Sequence, residues 1–498
     1  MMRRIKLYIL LAVVSFSATS CLDKFPDGDG IPQSRGMQSL SDAEQRLTGV
    51  YAGFKSGALY SGLLTLLPDI QSDLVYGVEG YSNTYGDFWR WEILPTNPDI
   101  TSVYGSLYSL IGSCNMFLDD VSDLRERLTN DDELEELQNI EGQVYLARAL
   151  CYSELIKLYC KAYDPKTAEN ELGVVLVSSY YKPEQKVRAS LKDSYAFVLN
   201  DLKIAEEQIT NETKDVVSYF TKTTANALCA RVYLYMQDWD KAIEYATKTI
   251  DDENLYLAST RKPSANIESD YSFMWTNDDS PEIIWRVGFT PTSYGGALGR
   301  VFLDYNYISY TPDYVVATWA YNLYGSNDLR RDVFFRTITT GYMHGLTWPL
   351  LVKYEGNETF RKSYNILHVN MPKVFRLSEQ YLIRAEAYCQ KKQFSSGAKD
   401  ITTLRIARYA TYGSTSLSED NWLDEISKER VRELFMEGFR LQDLKRWYKG
   451  FERAPQQSSI KEGSSLKIAA DNPLFVWPIP QHELNSPDAD IEPNESNK

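Results

Sequence analysis

Groups that could break bonds are scarce in this chain. The histidines are His344, His368 and His482, widely separated and without the HExxH spacing that sets two imidazoles on one helix face around zinc. There is no GxSxG elbow, P-loop or GxGxxG turn, and the run GGALG at 295–299 lacks that last spacing. Glycoside hydrolysis needs only two carboxylates about 5–9.5 Å apart. Among 68 acidic residues some pair always meets that demand, so the acids argue neither way. Cys114, Cys151, Cys160, Cys229 and Cys389 show no CxxC spacing, which fits neither a disulfide framework nor a zinc site. Set beside Ala, Leu and Tyr, they read as small buried hydrophobes. Asp27-Gly28-Asp29-Gly30 starts like a calcium loop but lacks the later ligands, and is read as a turn. No enzyme and no cofactor are expected; a structural calcium is left open without a motif to support it.

What the chain has in excess is rings: 36 Tyr, 19 Phe and 10 Trp. Each Tyr or Trp pairs an apolar face with a hydrogen-bonding tip, which suits gripping a sugar or peptide and equally suits packing a core. Many rings lie where helical periodicity fails. Residues 57–97 mix Asp69, Asp73, Tyr76, Tyr81, Tyr85, Trp89 and Trp91 with glycines. Residues 255–372 carry Trp275, Trp285, Tyr294, Tyr305, Tyr307, Tyr310, Trp319, Tyr321, Tyr324 and Trp348. Rings in glycine-rich loops are costly unless they pack or bind something. The net charge of −15 repels nucleic acid.

Helices must hold these loops in place. Ala230, Tyr233, Trp239 and Ala242 recur as Ala385, Tyr388, Phe394 and Gly397 at the same offsets of 3, 9 and 12. Small and aromatic residues so spaced are the pattern of tetratricopeptide hairpins, where small residues let paired helices approach. Residues 143–159 with 192–209 read as a further pair, and 103–121 as a helix. Ser41 with Glu44 would form a capping box. Short strands are expected at 282–287, 301–303 and 347–354. Residues 426–447 read as one helix ~33 Å long, laced by Glu429/Arg432, Arg430/Glu433, Glu437/Arg440 and Arg440/Asp443 pairs. Gly438 would weaken such a helix unless another backbone packs against it.

The first residues decide the compartment. Arg3, Arg4 and Lys6 precede an apolar run at 7–16, too short for the ~20 residues that span a bilayer. Ala18-Thr19-Ser20 then leads into Cys21. This reads as a lipoprotein signal peptide, 1–20, with Cys21 acylated; Ala18 stands where Leu is usual. Secretion with a spare cysteine is the alternative. Removing the three basic residues takes the charge from −15 to −18. The Gly-, Pro- and Asp-rich residues after Cys21, up to about 40, read as a flexible tether.

Glu429-Arg430, Glu433, Glu437-Gly438-Phe439-Arg440 and Asp443-Leu444-Lys445-Arg446 resemble the ERxxExxxEGxRxxDLxR signature of the SusD/RagB family. Its members are nutrient-binding lipoproteins on the surface of Bacteroidetes-type cells. Tyr310-Thr311-Pro312 with Asn327-Asp328-Leu329-Arg330 resembles a second family segment. Phe475-Val476-Trp477-Pro478-Ile479-Pro480 with Glu483 resembles the terminal PIPxxE, although the usual closing Gln-Asn-Pro-Gly-Tyr is replaced by IEPNESNK. The signature is read as architectural, a charged helix locking two layers together.

The resemblance implies a mainly α fold: a tetratricopeptide-like helical-repeat scaffold with large loop-rich insertions containing a few short β-strands. One body at 41–498 would comprise an N-terminal part at 41–125, repeat helices within 141–251 and 374–447, a loop-rich insertion at about 255–372 and a C-terminal segment at 448–498. It also implies non-catalytic capture of a glycan at the outer membrane, facing the exterior, with a SusC-like TonB-dependent β-barrel transporter as partner. Peptide capture and a scaffold that binds a protein partner are the alternatives. The family's ligand surface draws on the loops after the first helix and on the large insertion. Those loops here offer Asp73, Tyr76, Tyr81, Trp89, Trp91, Tyr294, Tyr305, Tyr307 and Trp319. Singly, each ring is read first as core; together they are the expected contact set.

Overall fold

The offsets shared by the two repeat segments fold into two helix hairpins, Lys222–Tyr235 with Trp239–Ile250 and Leu377–Gln390 with Phe394–Arg408. The small residues are where helices touch. A Cβ on Gly397 would lie 2.7 Å from Cys389 Sγ and 2.8 Å from the Ala385 carbonyl. Ala242 and Ala246 of the first hairpin meet Ile383 and Ala387 of the second, which stacks the repeats. Both hairpins turn through a non-glycine residue in the left-handed region, Gln237 and Lys392, each at φ +61.

The computed structural model describes residues 36–78, 84–182, 186–210, 217–342, 345–453, 467–487 and 489–498. Cys21, the turn at 27–30, Tyr81 and His344 lie outside the described residues. A third pair, Asp131–Tyr159 with Leu191–Gln208, is covered by Leu40–Gly53 and Pro98–Arg127. Inside it, Arg148 makes a two-pronged ion pair to Asp201 (2.7 and 2.8 Å) and donates to Asn115 Oδ1 at 2.7 Å. The helix Leu40–Gly53 is capped two residues before the position expected from 41 and 44. Ser39 and Asp42 form the capping box, and Met37 is already buried in the core. Cys114, Cys151, Cys160, Cys229 and Cys389 are free and buried.

The chain's last segment closes the C-terminus of Asp131–Tyr159. Trp477 N donates to Leu158 O at 2.9 Å, Asn494 Nδ2 to Tyr159 O at 2.9 Å, and Lys445 Nζ to the carbonyls of Lys157 and Cys160. Carbonyls that a helix end leaves unpaired are thereby satisfied. Within the terminal PIP run Ile479 is buried, and its N–H donates to Asn497 Oδ1 at 3.0 Å.

The signature does not form one long helix. It folds as Trp422–Glu433 and Arg440–Arg446, separated by an irregular turn with Met436 at φ +59 and Gly438 at φ +84. The break exists because other groups use the freed backbone. Lys353 Nζ donates to Phe435 O at 2.8 Å and Tyr354 OH to Met436 O at 2.9 Å. Asp69 receives Gly438 N at 3.0 Å and Arg440 N at 2.8 Å. A Cβ on Gly438 would sit 2.6 Å from the Leu64 carbonyl, so a backbone does pack on it. Of the four expected i,i+3 pairs only Glu429–Arg432 forms. The others find distant partners: Arg430 with Asp443, Arg440 with Asp73, and Glu437 with Arg376 and Lys353.

The insertion is held by two-stranded antiparallel ribbons. Ile283–Arg286 pairs with Lys373–Arg376, Phe335–Thr339 with Thr347–Leu351, and Val75–Gly77 with Tyr314–Val316. The strand expected at 301–303 is instead a turn of helix, Arg300–Leu303, with all three apolar side chains buried.

Candidate functional site

The ribbon of Val75–Gly77 and Tyr314–Val316 joins the two ring-rich stretches of the chain. Val75 lies opposite Val316 and Gly77 opposite Tyr314. Beyond it, Val78 N donates to Asp313 O at 3.0 Å, and Tyr314 OH donates to Thr84 O at 2.6 Å. The ends of the first stretch's loop are therefore pinned beside residues 313–314.

Just before that strand the chain makes a tight hairpin at 305–310. Tyr305 and Tyr310 bridge across its base with ring centroids 5.1 Å apart. Asn306 Oδ1 accepts from the backbone N–H of Ile308 (3.1 Å) and Ser309 (2.9 Å), closing the turn locally. Tyr307 takes φ +69, a conformation a bulky residue adopts only at a cost. Its side chain is 93% exposed and that of Ile308 is 88% exposed. Gly341 supports the hairpin from beneath, since a Cβ there would fall 2.3 Å from Ser309 Oγ. Tyr342 OH donates to Pro312 O at 3.1 Å, and burial, with Asp313 and Asp304 nearby, pushes its pKa up to about 12. This neutral hydroxyl is a strut.

The eight described residues of the expected contact set separate by burial. Tyr305 and Tyr307 share the hairpin. Tyr294 is also exposed but lies elsewhere, against Phe360 and on a turn held by Lys55. Trp319 is half-buried, its indole N–H given to Asp73 O at 2.7 Å and Arg440 lying over its ring. Asp73 is buried, and both carboxylate oxygens hold Arg440 at 2.8 Å. Tyr76, Trp89 and Trp91 are interior and offer no face to a ligand. Trp89 donates to Val75 O and lies under the Arg453 guanidinium, whose N–H groups bond the carbonyls of Ser72 and Gln71. Trp91 donates to Gln71 O and packs edge-on against Phe475, 4.9 Å between centroids. These three rings carry a loop whose backbone needs an interior to pack on.

Ile308, Tyr310 and Gly341 belong to the site and were not singled out as contacts. The asparagine at the start of Asn306-Tyr307-Ile308-Ser309 is the local signal for them, because it closes a turn that leaves its middle residues outward. Among the described residues no group of three or more His, Cys, Asp or Glu is placed to hold a metal. His368 is half-buried, and burial lowers its basicity. The hairpin presents apolar faces and phenol groups, and residues 305–310 include no carboxylate, histidine or cysteine. Such a surface can hold a molecule by stacking and hydrogen bonds.

Comparison with known proteins agrees with the signature. Residues 22–234 match a SusD-like family described as starch-binding, associating with outer membrane, and residues 343–492 match the SusD family. The chain belongs to the SusD/RagB family. It is 22% identical over 527 residues to SusD-like protein P2 of Formosa agariphila, spanning 97% of each chain. A SusD superfamily protein from Bacteroides thetaiotaomicron superposes with a TM-score of 0.79 at 23% identity, covering 92% of this chain and 99% of that one. A sugar-binding-type protein of Bacteroides vulgatus gives 0.77 at 24% identity, covering 93% and 100%. A laminarin-binding SusD-like protein gives 0.68 at 20%, covering 92% and 100%. These structures share the helical-repeat fold with this SusD-family chain. No helix among its described residues is long and apolar enough to cross a membrane.

Proposed function

We propose that this SusD-family protein captures an extracellular glycan without altering it and passes it to a TonB-dependent β-barrel transporter. The observation that carries the reading is the hairpin at 305–310, whose backbone is closed by Asn306 while Tyr307 and Ile308 project almost fully into solvent. Neighbouring rings and an aliphatic side chain held outward on a locally closed turn are suited to a ligand or partner. Tyr305 and Tyr307 are the stacking groups in this proposal. The family description, starch-binding and associating with outer membrane, supports a sugar as ligand and that membrane as location. Removal of residues 1–20 and acylation of Cys21 would anchor the body, with the following residues as its tether. Two or more acyl chains suffice for a stable hold, at ~0.8 kcal/mol per buried CH₂.

Affinity gels cast with starch, laminarin or xylan, alongside a peptide-binding assay, test the ligand class. At least one glycan should retard the wild-type protein, and Tyr305→Ala with Tyr307→Ala should weaken that binding about tenfold, ~1.4 kcal/mol. Undiminished binding by the double variant rejects the hairpin. Binding to peptides but to none of the glycans rejects the sugar, and oligosaccharide products released by pure protein would replace capture by hydrolysis.

A further inference from the structure

A second cleft, ≈ 360 Å³, opens where the last turn of Arg440–Arg446 faces residues 470–476 and the chain's final residues. It shares no residue with the hairpin at 305–310. We propose that this cleft is a second saccharide site, taking a short stretch of a neutral glycan; the choice of ligand rests on the reading of the protein as a glycan binder.

Its size falls in the range of small-ligand sites. Tyr448 stands at its lip, 71% exposed, in the left-handed conformation at φ +51. Tyr448 N donates to Lys445 O at 3.1 Å and Lys449 N to Leu444 O at 2.9 Å, so the ring occupies the helix-ending position that normally goes to glycine. That conformation sets the exposed ring at the mouth of the cleft. Phe475 forms a wall and is fixed from behind by Trp91. The carboxylates of Asp471 and Glu495 line the opening and accept no hydrogen bond from another described residue. On the floor, Lys445 Nζ spends its bonds on the carbonyls of Lys157 and Cys160, with no carboxylate among the described residues paired to it.

A ring beside free acceptors fits a molecule with apolar faces edged by hydroxyl donors, which describes a sugar ring. Asp471 and Glu495 would repel a sulfated or uronic chain. They would also attract a basic peptide, which the test must separate.

Amide hydrogen exchange on the full-length protein in detergent, with maltohexaose, laminarihexaose or hexalysine added, reads the two sites independently. A hexasaccharide should protect 445–449 and 470–476. Tyr448→Ala with Asp471→Asn should reduce that protection at least tenfold while leaving 304–311 unchanged, and Glu495→Gln should weaken it in part. No protection at the cleft by either hexasaccharide, protection that survives the double variant, or protection by hexalysine alone would each overturn the proposal. Cleft protection without any at 304–311 would support the cleft and remove the hairpin from the preceding reading.

Discussion

The buried centre around Glu433 and the hairpin at 305–310 treat their polar groups in opposite ways. Around Glu433 every charge is sealed. Arg330, Arg376 and Arg408 each reach its carboxylate at 2.8–2.9 Å, and all four side chains are at most 1% exposed. Glu282 takes Arg376 and Arg408 as well, while Glu429 takes Arg330 and Arg405. The insertion (Glu282, Arg330), the second repeat hairpin (Arg408, with Arg376 at its start) and the signature helix are thereby tied at one point. Ion pairs of this kind hold geometry, because each partner's desolvation is offset only while the others stay in place. At the hairpin a phenol ring is turned fully to water instead, and a single asparagine fixes the backbone. Access to water, and not the presence of polar groups, separates the two regions.

The strongest way to break this contrast is Glu433→Ala. It would leave three buried guanidiniums partly uncompensated and should cost ~3–5 kcal/mol, or prevent folding outright. Urea unfolding followed by tryptophan fluorescence measures it, with Glu433→Gln expected to cost less. A loss below ~1 kcal/mol would mean that the centre is not what ties the layers together. The same centre sets an acid limit. Burial alone would raise Glu433 and Glu429, but the surrounding arginines outweigh it and hold both below the ordinary 4.5. The unfolded chain therefore binds more protons than the folded one below that value. The stability from these groups is full above pH 4.5 and is lost as pH falls through their depressed folded values. Glu433→Gln should flatten that acid slope.

Gly438→Ala comes next. It would force a Cβ into φ +84 and against the Leu64 carbonyl at 2.6 Å, where the helix Leu63–Ile70 passes. About 1–3 kcal/mol is expected, since the strain is local and no charge is exposed. A neutral result in thermal unfolding would show that the break between the two signature helices can slide to relieve it.

How far these features could be read in advance follows the same division. The repeat hairpins were legible because small residues at fixed offsets mark close helix contacts, and Gly397 shows why no larger residue serves there. The signature was legible as a motif but not as a shape. Periodicity over 426–447 runs through the break without a sign of it except Gly438, because Met436 carries nothing that announces a positive φ. Its charges looked like neighbours on a helix, yet Arg440 finds its partner Asp73 at 2.8 Å from the far end of the chain. Trp89 and Trp91 could not be placed from their loop. What encloses Trp89 is Arg453, and what encloses Trp91 is Phe475, both more than 350 positions later. The outward placement of Tyr307 has a local cause instead: an asparagine turn needs only itself to point its middle residues outward.

The smallest expected effect sharpens the comparison most. Tyr307→Ala removes a ring that is 93% exposed and keeps a Cβ at φ +69, so the backbone strain is unchanged. Stability should change by less than ~0.5 kcal/mol. Trp89→Ala, only 0% exposed, would instead open a cavity and cost ~3–5 kcal/mol. Both substitutions delete an aromatic ring, and the two unfolding curves measured side by side isolate what burial contributes. If Tyr307→Ala destabilised as much as Trp89→Ala, the hairpin would be bracing the fold after all. A display surface requires the reverse: binding that falls while the unfolding midpoint stays where it was.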